Sequence, residues 1–312
     1  MNILVTRHDK IGDFITILPM LKMLKTGTDH RVLVLVSQIN YDLACSIDYI
    51  DDVILYTQDS WQLSKEIRQH HIDTSISCFI DTHLGWLLFL SGIKTRIAPA
   101  TKLAQAFFNK TIKQRRGQVK KTEWEYNVDL LKVLFPDIND QLERPFLAFD
   151  KLPPSSPQKT IAFHPGFGGS SEGNLTLDDY LRLAKAIANN KDIKVVFTFG
   201  PDDSDSKAYI ESHIDFPAEL IDSKMSLVDF CRLIATFDVF VSTSTGPMHL
   251  AGALNIKTLS FFGASLFASS KRWATISDPE KQANFEVAQN YGQDFYQAVE
   301  NKLITLCSKP SV

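Results

Sequence analysis

The sequence predicts an α/β protein made of two Rossmann-like halves, each a parallel sheet with helices on both faces. Short β-branched runs, such as Asn2 to Thr6 and Thr160 to His164, alternate with segments of helical period along most of the chain. This alternation is typical of parallel strands joined by crossover helices. The length of 312 residues also favours two halves, since single cores seldom grow past about 250 residues.

Eight strands are predicted, over residues 2–6, 31–36, 53–55, 74–80, 160–164, 194–199, 238–242 and 257–262. A stretch rich in proline and serine divides the chain almost in half and has no periodicity, which is typical of a linker. We therefore expect an N-terminal domain over 1–150, a linker over 151–159, a C-terminal domain over 160–285 and a final helix over 286–312. The helix carries an apolar stripe of Phe295, Val299, Leu303 and Leu306, and we expect it to pack back toward the N-terminal domain.

Composition and charge exclude several classes of protein. A net charge of −3 and a pI near 6.2 argue against a nucleic-acid binder, which needs a strongly basic face. The four cysteines are far apart and form no CxxC pair, which predicts reduced thiols. The longest apolar run, residues 85–93, is shorter than the roughly 18 residues that cross a bilayer. We expect a cytoplasmic protein without a signal peptide.

The first candidate site follows the first predicted strand, from Arg7 to Asp13. This position lies at the carboxyl edge of a parallel sheet, where α/β proteins bind ligands. Gly12 is the one glycine where a dinucleotide fingerprint needs three, so a nicotinamide enzyme is disfavoured. Asp13 offers a general base beside Arg7 and Lys10, although its spacing alone favours a helix cap. The helix start and the cations are expected to lower its pKa.

The second candidate site is a glycine-rich loop after the first strand of the second half. It consists of His164, Gly166, Gly168, Gly169, Ser170 and Ser171. Backbone N–H groups and hydroxyls ahead of a helix suit an anion, and phosphate is the natural ligand. A flexible turn explains the same residues equally well, so both interpretations stay open.

The third candidate site is the hydroxyl-rich start of a later helix, with Ser244, Thr245 and Gly246. A glycine and a proline at the first helical positions, after several hydroxyl side chains, form a second candidate phosphate cradle. His249 lies one turn further on. A single histidine is usually structural, but this position favours a role in the site.

Two further features carry weaker signals. Asp202 lies in an acidic loop whose carboxylates suit the hydroxyl group of a sugar. Helix capping is the commoner role of such loops, and a metal site is disfavoured. The basic segment 102–121 includes Arg115 and Arg116 and contains the pair Phe107 and Phe108. It is either a solvated face or a surface that receives an acidic acceptor or an anionic membrane.

Together, these motifs resemble glycosyltransferase family 9, the heptosyltransferase-like family of inverting glycosyltransferases. The family includes the ADP-heptose:lipopolysaccharide heptosyltransferases of Gram-negative bacteria. The resemblance spans nearly the whole chain. It comprises R-x-D-x-I-G-D-x-x-x-x-x-P from Arg7 to Pro19, H-P-G at His164, and S-T-G-P-M-H-L-A-G-A-L from Ser244, continuing to Gly263.

The resemblance implies a GT-B fold, with two parallel sheets facing each other across a cleft. It implies that Asp13 deprotonates an acceptor hydroxyl, which displaces a nucleotide diphosphate with inversion, without a metal or cofactor. The implied co-substrate is ADP-heptose, bound by the second and third candidate sites. The implied acceptor is a lipopolysaccharide core or another glycolipid or oligosaccharide. Residues implied to bind it or stabilise charge are Arg7, Lys10, Gly12, Arg115 and Arg116.

The chain departs from the family pattern in two places. Ser244 stands where the family commonly has an aspartate, and the region around Gly173 lacks a lysine that often precedes a W-P pair. Two alternatives to an active transferase therefore stay open. One is a degenerate transferase that binds a nucleotide sugar without turnover, and the other is a GT-B nucleotide-sugar epimerase. Peripheral contact with the cytoplasmic face of the inner membrane is also left open.

Overall fold

The computed structural model describes residues 1–101, 103–149, 157–166 and 172–308. The chain divides into two compact units, Met1–Phe146 and Leu147–Val312. The boundary between them lies four residues before the end of the predicted first domain. Each unit is built on its own six-stranded parallel sheet.

The first unit has the strand order of a Rossmann sheet. Its strands are β1 (Asn2–Arg7), β2 (Arg31–Val36), β3 (Asp52–Leu55), β4 (Thr74–Ser77), β5 (Thr95–Pro99) and β6 (Lys110–Ile112). Its helices are α1 (Ile11–Ile15), α2 (Leu18–Gly27), α3 (Gln38–Cys45), α4 (Ser60–Gln69), α5 (Thr82–Leu90) and α6 (Glu123–Lys132). The order β3-β2-β1-β4-β5-β6 reverses direction between β1 and β4. Such a reversal leaves a crevice at the carboxyl ends of these two strands.

The second unit repeats this order. Its strands are β7 (Lys159–His164), β8 (Ile193–Phe199), β9 (Glu219–Asp222), β10 (Val239–Thr243), β11 (Lys257–Gly263) and β12 (Gln282–Val287). Its helices are α7 (Leu177–Ala188), α8 (Ser204–His213), α9 (Leu227–Ile234), α10 (Gly246–Ala253), α11 (Ser270–Trp273) and α12 (Gln293–Cys307). In the order β12-β11-β10-β7-β8-β9, the reversal falls between β7 and β10. The second and third candidate sites follow these two strands.

The predicted strands are all present, although β4 ends at Ser77 and not at Ile80, and the strands that the sequence did not predict lie at or beside sheet edges. β6, β9 and β12 are edge strands, and β5 is next to an edge. Central strands such as β1 and β2 are buried on both faces and therefore read as continuous apolar runs. The edge strands β6, β9 and β12 lack this signal. β6 carries Lys110 at an open edge, where a cation discourages pairing with another chain.

The final helix, α12, packs against the core of the second unit, and its packing toward the N-terminal domain stays a prediction. Val299, Leu303 and Leu306 are buried in the core of the second unit, and Phe295 packs against it. The apolar stripe was correctly identified. α7 and the second sheet cover this stripe.

The helix α5 is apolar on nearly all sides. It buries Leu84, Leu87 and Leu88 and exposes Trp86, Phe89 and Leu90. A helix in a globular protein normally turns a polar face to solvent. Across the described ranges, no helix combines the length and the apolar character needed to cross a membrane.

Two neighbouring positions in α12 test its packing. Leu303 is fully buried, whereas Ile304 is 46% exposed. Leu303→Ala should lower the free energy of unfolding by about 2–5 kcal/mol, since it leaves a cavity. Ile304→Ala should change it by less than about 0.5 kcal/mol. Thermal and urea unfolding would measure both, and equal effects would contradict this placement of the helix.

Candidate active site

The carboxyl end of β1 carries a buried ion pair between Arg7 and Asp13. Arg7 is the last residue of β1 and is 5% exposed. Its Nη2 donates a hydrogen bond to Asp13 Oδ1, and its Nε donates to Asp9 Oδ1 at 2.8 Å. Its Nη1 donates to the carbonyl of Cys78, just after β4, at 3.3 Å. The guanidinium therefore holds the Asp13 carboxylate at the crevice between β1 and β4.

Asp13 lies inside the first turn of α1 and does not cap it. The N-cap residue is Lys10, and no side chain in the described part of the chain caps this helix. The helix-cap interpretation favoured by spacing alone is therefore wrong. The side chain of Asp13 is 18% exposed, and only its Oδ1 has a hydrogen-bond partner among the described residues. Its Oδ2 can thus accept a hydrogen bond from a hydroxyl group.

The pKa of the Asp13 carboxyl is raised, contrary to the expectation that nearby cations would lower it. Burial is the largest cause, and the carboxylates of Asp9 and Glu123 add to it, while Arg7 acts in the opposite direction. Burial disfavours the charge on Arg7, but the carboxylates of Asp13 and Asp9 raise its pKa overall. The site therefore pairs a permanently charged guanidinium with an aspartate of increased basicity.

A chain of hydrogen bonds supports this turn from α6. The Thr16 hydroxyl donates to the carbonyl of Asp13 at 2.6 Å, and it accepts from Asn127 Nδ2 at 2.9 Å. Arg116 donates from Nη2 to Asn127 Oδ1 at 3.2 Å and from Nη1 to the buried Glu123 at 2.7 Å. Both terminal nitrogens of Arg116 are thus engaged within the protein. This geometry favours a positioning role for Arg116 over direct acceptor binding.

The other residues predicted for this site are placed differently. Gly12 lies in the same turn as Asp13, and Lys10 and Arg115 are exposed. In the described ranges, neither of these two cations forms an ion pair within the protein. Arg115 has a left-handed backbone, with φ of 49°. Their roles toward an acceptor stay predictions.

The aromatic pair of the basic segment belongs to the core. Phe108 is buried in the core of the first unit, and Phe107 packs against it. Phe108 is therefore not available to an acceptor or a membrane, whereas Phe107 is partly exposed, and both interpretations of this segment stay open. Its cations lie instead on the edge strand β6 and on the turns that follow it.

The structure adds a polar cluster that the sequence did not indicate. His8 Nε2 lies 2.6 Å from Asp81 Oδ2, and the His8 ring stacks on Tyr56 with 4.2 Å between centroids. Asp81 also accepts from the Leu84 N–H and so caps α5. Partial burial opposes its charge, but the hydrogen bonds from His8 and Leu84 lower the pKa of Asp81. His8 and Asp81 are 73 positions apart, and no local pattern links them.

In the second unit, His164 ends β7 and is buried beside the crevice between β7 and β10. Its Nδ1 is hydrogen-bonded to the Thr198 hydroxyl at 3.0 Å, and its ring stacks on Phe240. Its Nε2 lies 3.7 Å from Asp203 Oδ2. Burial lowers the pKa of His164, and Asp203 only partly offsets this effect. A neutral imidazole therefore anchors the start of the glycine-rich loop.

Asp203, not the predicted Asp202, faces this loop. Asp203 is buried and accepts a hydrogen bond from the Gly200 N–H at 2.7 Å, whereas Asp202 is exposed. A Cβ at Gly166 would overlap the Asp203 carboxylate, so a side chain there would displace that carboxylate. Two adjacent aspartates are alike in sequence, and only the geometry of the turn distinguishes them. Donor binding by Asp202 stays a prediction.

The rest of the glycine-rich loop is described only from residue 172 onward, and Gly168, Gly169, Ser170 and Ser171 lie outside the described residues. Gly173 packs directly on β11, where a Cβ would overlap the carbonyl of Phe262. Its own carbonyl accepts a hydrogen bond from the Thr243 hydroxyl. Close backbone packing therefore excludes any side chain at Gly173.

The start of α10 presents backbone N–H groups without a side-chain cap. Thr245 is the N-cap residue, but its hydroxyl donates backward to the Thr243 carbonyl at 3.3 Å. The Ser244 N–H donates to the carbonyl of Phe261 at 2.9 Å, which ties this turn to β11. Pro247 has no N–H, so the donors of this turn are the N–H groups of Gly246 and Met248, which the Thr245 side chain does not cap. Such a helix start can bind an anion.

His249 lies beneath this turn and is buried. Its ring is close to Trp273, and its Nδ1 has no hydrogen-bond partner in the described part of the chain. Burial lowers the pKa of His249 to about 4. Within the same ranges, no three His, Cys, Asp or Glu side chains are grouped in a way that could hold a metal ion.

The burial of His249 predicts a loss of stability in acid. Its ordinary pKa is 6.5, so its unfolded form takes up a proton more readily than its folded form. The neutral form supports folding above pH 6.5, and this contribution falls as the pH drops toward 4, by up to about 3 kcal/mol. His249→Gln should flatten the pH dependence of thermal unfolding between pH 7 and 4. An unchanged slope would contradict the prediction.

Comparison with known proteins identifies the family of the chain. Residues 97–301 match the model of glycosyltransferase family 9 (heptosyltransferase). A Haemophilus influenzae protein with a provisional glycosyltransferase name is 36% identical over 308 residues, covering 91% of this chain and 88% of its own length.

Two solved structures from Escherichia coli share the fold. ADP-heptose lipopolysaccharide heptosyltransferase II has a TM-score of 0.79 at 19% identity, covering 98% of both chains. Heptosyltransferase WaaC with ADP has a TM-score of 0.78 at 15% identity, covering 98% of this chain and all of its own. The chain therefore has a two-domain α/β fold of the GT-B type and belongs to glycosyltransferase family 9.

Proposed function

We propose that this glycosyltransferase moves a heptose from ADP-heptose to a lipopolysaccharide core or related glycan, with inversion and with Asp13 as the general base. The observation that carries the proposal is the state of the Asp13 carboxylate. It is held by Arg7 through Oδ1, its pKa is raised, and its Oδ2 has no partner among the described residues. A base of this kind suits an acceptor hydroxyl better than a fully solvated aspartate would.

In the proposed step, the acceptor hydroxyl donates its proton to Asp13 Oδ2 while its oxygen attacks the anomeric carbon of the donor. The bond from this carbon to the diphosphate oxygen breaks with its electron pair, which leaves ADP. Attack opposite the leaving group inverts the anomeric centre. Arg7 keeps its charge throughout and orients the carboxylate, so the base is positioned before the reaction begins.

The donor is proposed to bind at the second unit. The N–H groups at the start of α10 and the loop that begins at His164 and Gly166 suit a diphosphate. Backbone dipoles at these positions stabilise the negative charge that develops on the leaving group. We propose that no metal or cofactor is needed. ADP as the nucleotide is supported by the ADP-bound heptosyltransferase of similar fold.

The acceptor is proposed to bind at the first unit, where the exposed cations Lys10 and Arg115 suit an acidic glycolipid or oligosaccharide. A glycolipid acceptor places the reaction at the cytoplasmic face of the inner membrane, with the protein in peripheral contact. Nucleic acid is not a proposed partner, because the net charge of the chain is −3.

A pair of variants tests the base. Asp13→Asn should lower kcat by about 10²–10⁴-fold, since it removes proton acceptance. Asp9→Asn is the matched control, because it also removes a carboxylate from Arg7 but leaves Asp13 in place. It should retain most of the activity. Transfer would be measured as ADP release with a core oligosaccharide acceptor, and full turnover by the Asp13 variant would refute the assignment.

The pH profile gives a second measure of the same base. Asp13 must be ionised to accept a proton, so kcat/KM should rise with pH and level off above the pKa of its carboxyl. Because this pKa is raised, the midpoint of the acid limb should lie above the ordinary value of 3.8. A limb centred at or below that value would contradict the raised pKa.

Donor binding distinguishes the transferase from its alternatives. The chain has a serine at Ser244 and no side chain at Gly173. Both features are compatible with a protein that binds a nucleotide sugar without turnover. ADP and ADP-heptose should raise the melting temperature, whereas UDP-sugars should have little effect. Tight ADP-heptose binding without product against any acceptor would favour the degenerate transferase. Isomerisation of the donor without an acceptor would favour the epimerase.

A further inference from the structure

The first unit carries a surface groove between α4 and α5 that the transfer reaction does not use. The two helices pack through Leu63 and Ile67 of α4 and Leu84 of α5. Outside this contact they leave a groove of about 750 Å³, lined by Trp61, Lys65 and Arg68 on one side and by Trp86 and Leu90 on the other. We call this surface the α4–α5 groove.

The rim of the α4–α5 groove is unusually apolar for an exposed surface. Trp61 is 74% exposed, and Trp86, Phe89 and Leu90 are each at least 43% exposed. These side chains are contiguous along two neighbouring helices, unlike the scattered apolar residues found on most protein surfaces. Exposed tryptophan rings are typical of protein surfaces that enter the headgroup region of a bilayer.

The charges of the groove are all positive. Lys65 Nζ lies 5.3 Å from the centre of the Trp61 ring, and Arg68 donates to the carbonyl of Leu90 at 3.2 Å. Arg96 lies over the exposed ring of Phe89 at 5.2 Å. None of the described residues that line the groove is acidic. Since the whole chain has a net charge of −3, attraction to an anionic surface has to be local, and this groove provides it.

These properties select one occupant. A second copy of the chain would bring Lys65 and Arg68 close to their own counterparts in a symmetric contact, which like charges disfavour. An anionic bilayer instead binds both kinds of side chain, since the aromatic rings enter the headgroup layer and the cations reach the lipid phosphates. We infer that the α4–α5 groove docks the protein on the surface of a membrane that contains anionic phospholipids.

The groove is connected to the Asp13 site through one row of side chains. The Ser60 hydroxyl, at the end of the groove, is hydrogen-bonded to His83 at 2.9 Å, and His83 is bonded to the Tyr56 hydroxyl at 3.0 Å. The Tyr56 ring stacks on His8, the neighbour of Arg7. A docked membrane would therefore present the head of a lipid-linked acceptor near this edge of the sheet. The presentation of a lipid-linked acceptor at this edge rests on the proposed function. Membrane docking itself does not, because it needs no donor or acceptor.

Vesicle co-sedimentation tests the docking. The full chain should bind vesicles of phosphatidylcholine and phosphatidylglycerol in equal parts, bind pure phosphatidylcholine vesicles weakly, and dissociate as salt rises. Lys65→Gln should weaken binding about fivefold, which corresponds to about 1 kcal/mol for one cation at an anionic surface. Trp61→Ala should weaken binding by about tenfold, through loss of buried apolar area.

Two matched controls separate the groove from general surface effects. Phe267→Ala removes an exposed ring that also lies under a cation, Arg272, in the second unit. Lys185→Gln removes an exposed lysine of the second unit. Both should bind vesicles as the unaltered chain does. Because Trp61 and Lys65 are exposed, their variants should keep the melting temperature and the transfer activity toward a water-soluble acceptor.

The outcomes distinguish the docking from the proposed reaction. Equal binding of neutral and anionic vesicles, no binding at all, or full binding by the Trp61 and Lys65 variants would overturn the inference. A change of oligomeric state in these variants, without vesicle binding by the parent chain, would assign the groove to a second copy and overturn it too. If the unaltered chain binds vesicles normally but transfers heptose to none of the acceptors tested, the proposed function fails and the docking stands.

Discussion

The reversal of strand order in each sheet is the constraint on which the rest of the structure depends. In both units the first strand lies in the middle and the chain returns to its other side with the fourth strand, so the carboxyl ends of these two strands border an open crevice. Arg7 and His164 are the last residues of β1 and β7 and occupy equivalent places at the two crevices. One fold rule has thus placed a polar side chain at the same position twice.

The two crevices satisfy these buried groups in different ways. Arg7 keeps its charge and needs carboxylates close by, because a buried and unpaired guanidinium is strongly destabilising. Asp9 and Asp13 provide them, and Asp13 becomes more basic through the burial that the pairing requires. His164 is neutral, and its Nδ1 is hydrogen-bonded to the Thr198 hydroxyl. The first crevice is therefore suited to proton transfer, and the second has open backbone N–H groups that suit an anion.

Most of the fold could be predicted from the sequence because central parallel strands are buried on both faces. β1, β2, β7 and β10 appear as apolar runs, whereas edge strands such as β6 do not. The stripe of α12 could likewise be found from its period. The elements that cover the stripe could not be predicted, because periodicity identifies a buried face and not its partner.

The candidate site was predictable only in part. The family motif selected Asp13, while spacing alone favoured a cap, and neither indicated that burial and nearby carboxylates would raise its pKa. The contact between His8 and Asp81 joins residues 73 positions apart, and such contacts have no signal in a single sequence. The choice between Asp202 and Asp203 depended on the local path of one turn. Long-range contacts and turn geometry were thus the missing information.

The packing of Gly173 on β11 limits how this chain can diverge or be redesigned. The lysine that the family resemblance leads us to expect in this region is absent, and a single substitution at Gly173 cannot provide it, since even a Cβ there would overlap the Phe262 carbonyl. Regaining a side chain would require the loop to move away from the strand, and with it the hydrogen bond from Thr243. The absence of a cation at this position is therefore fixed by the backbone, and compensating changes have to arise elsewhere in the sequence.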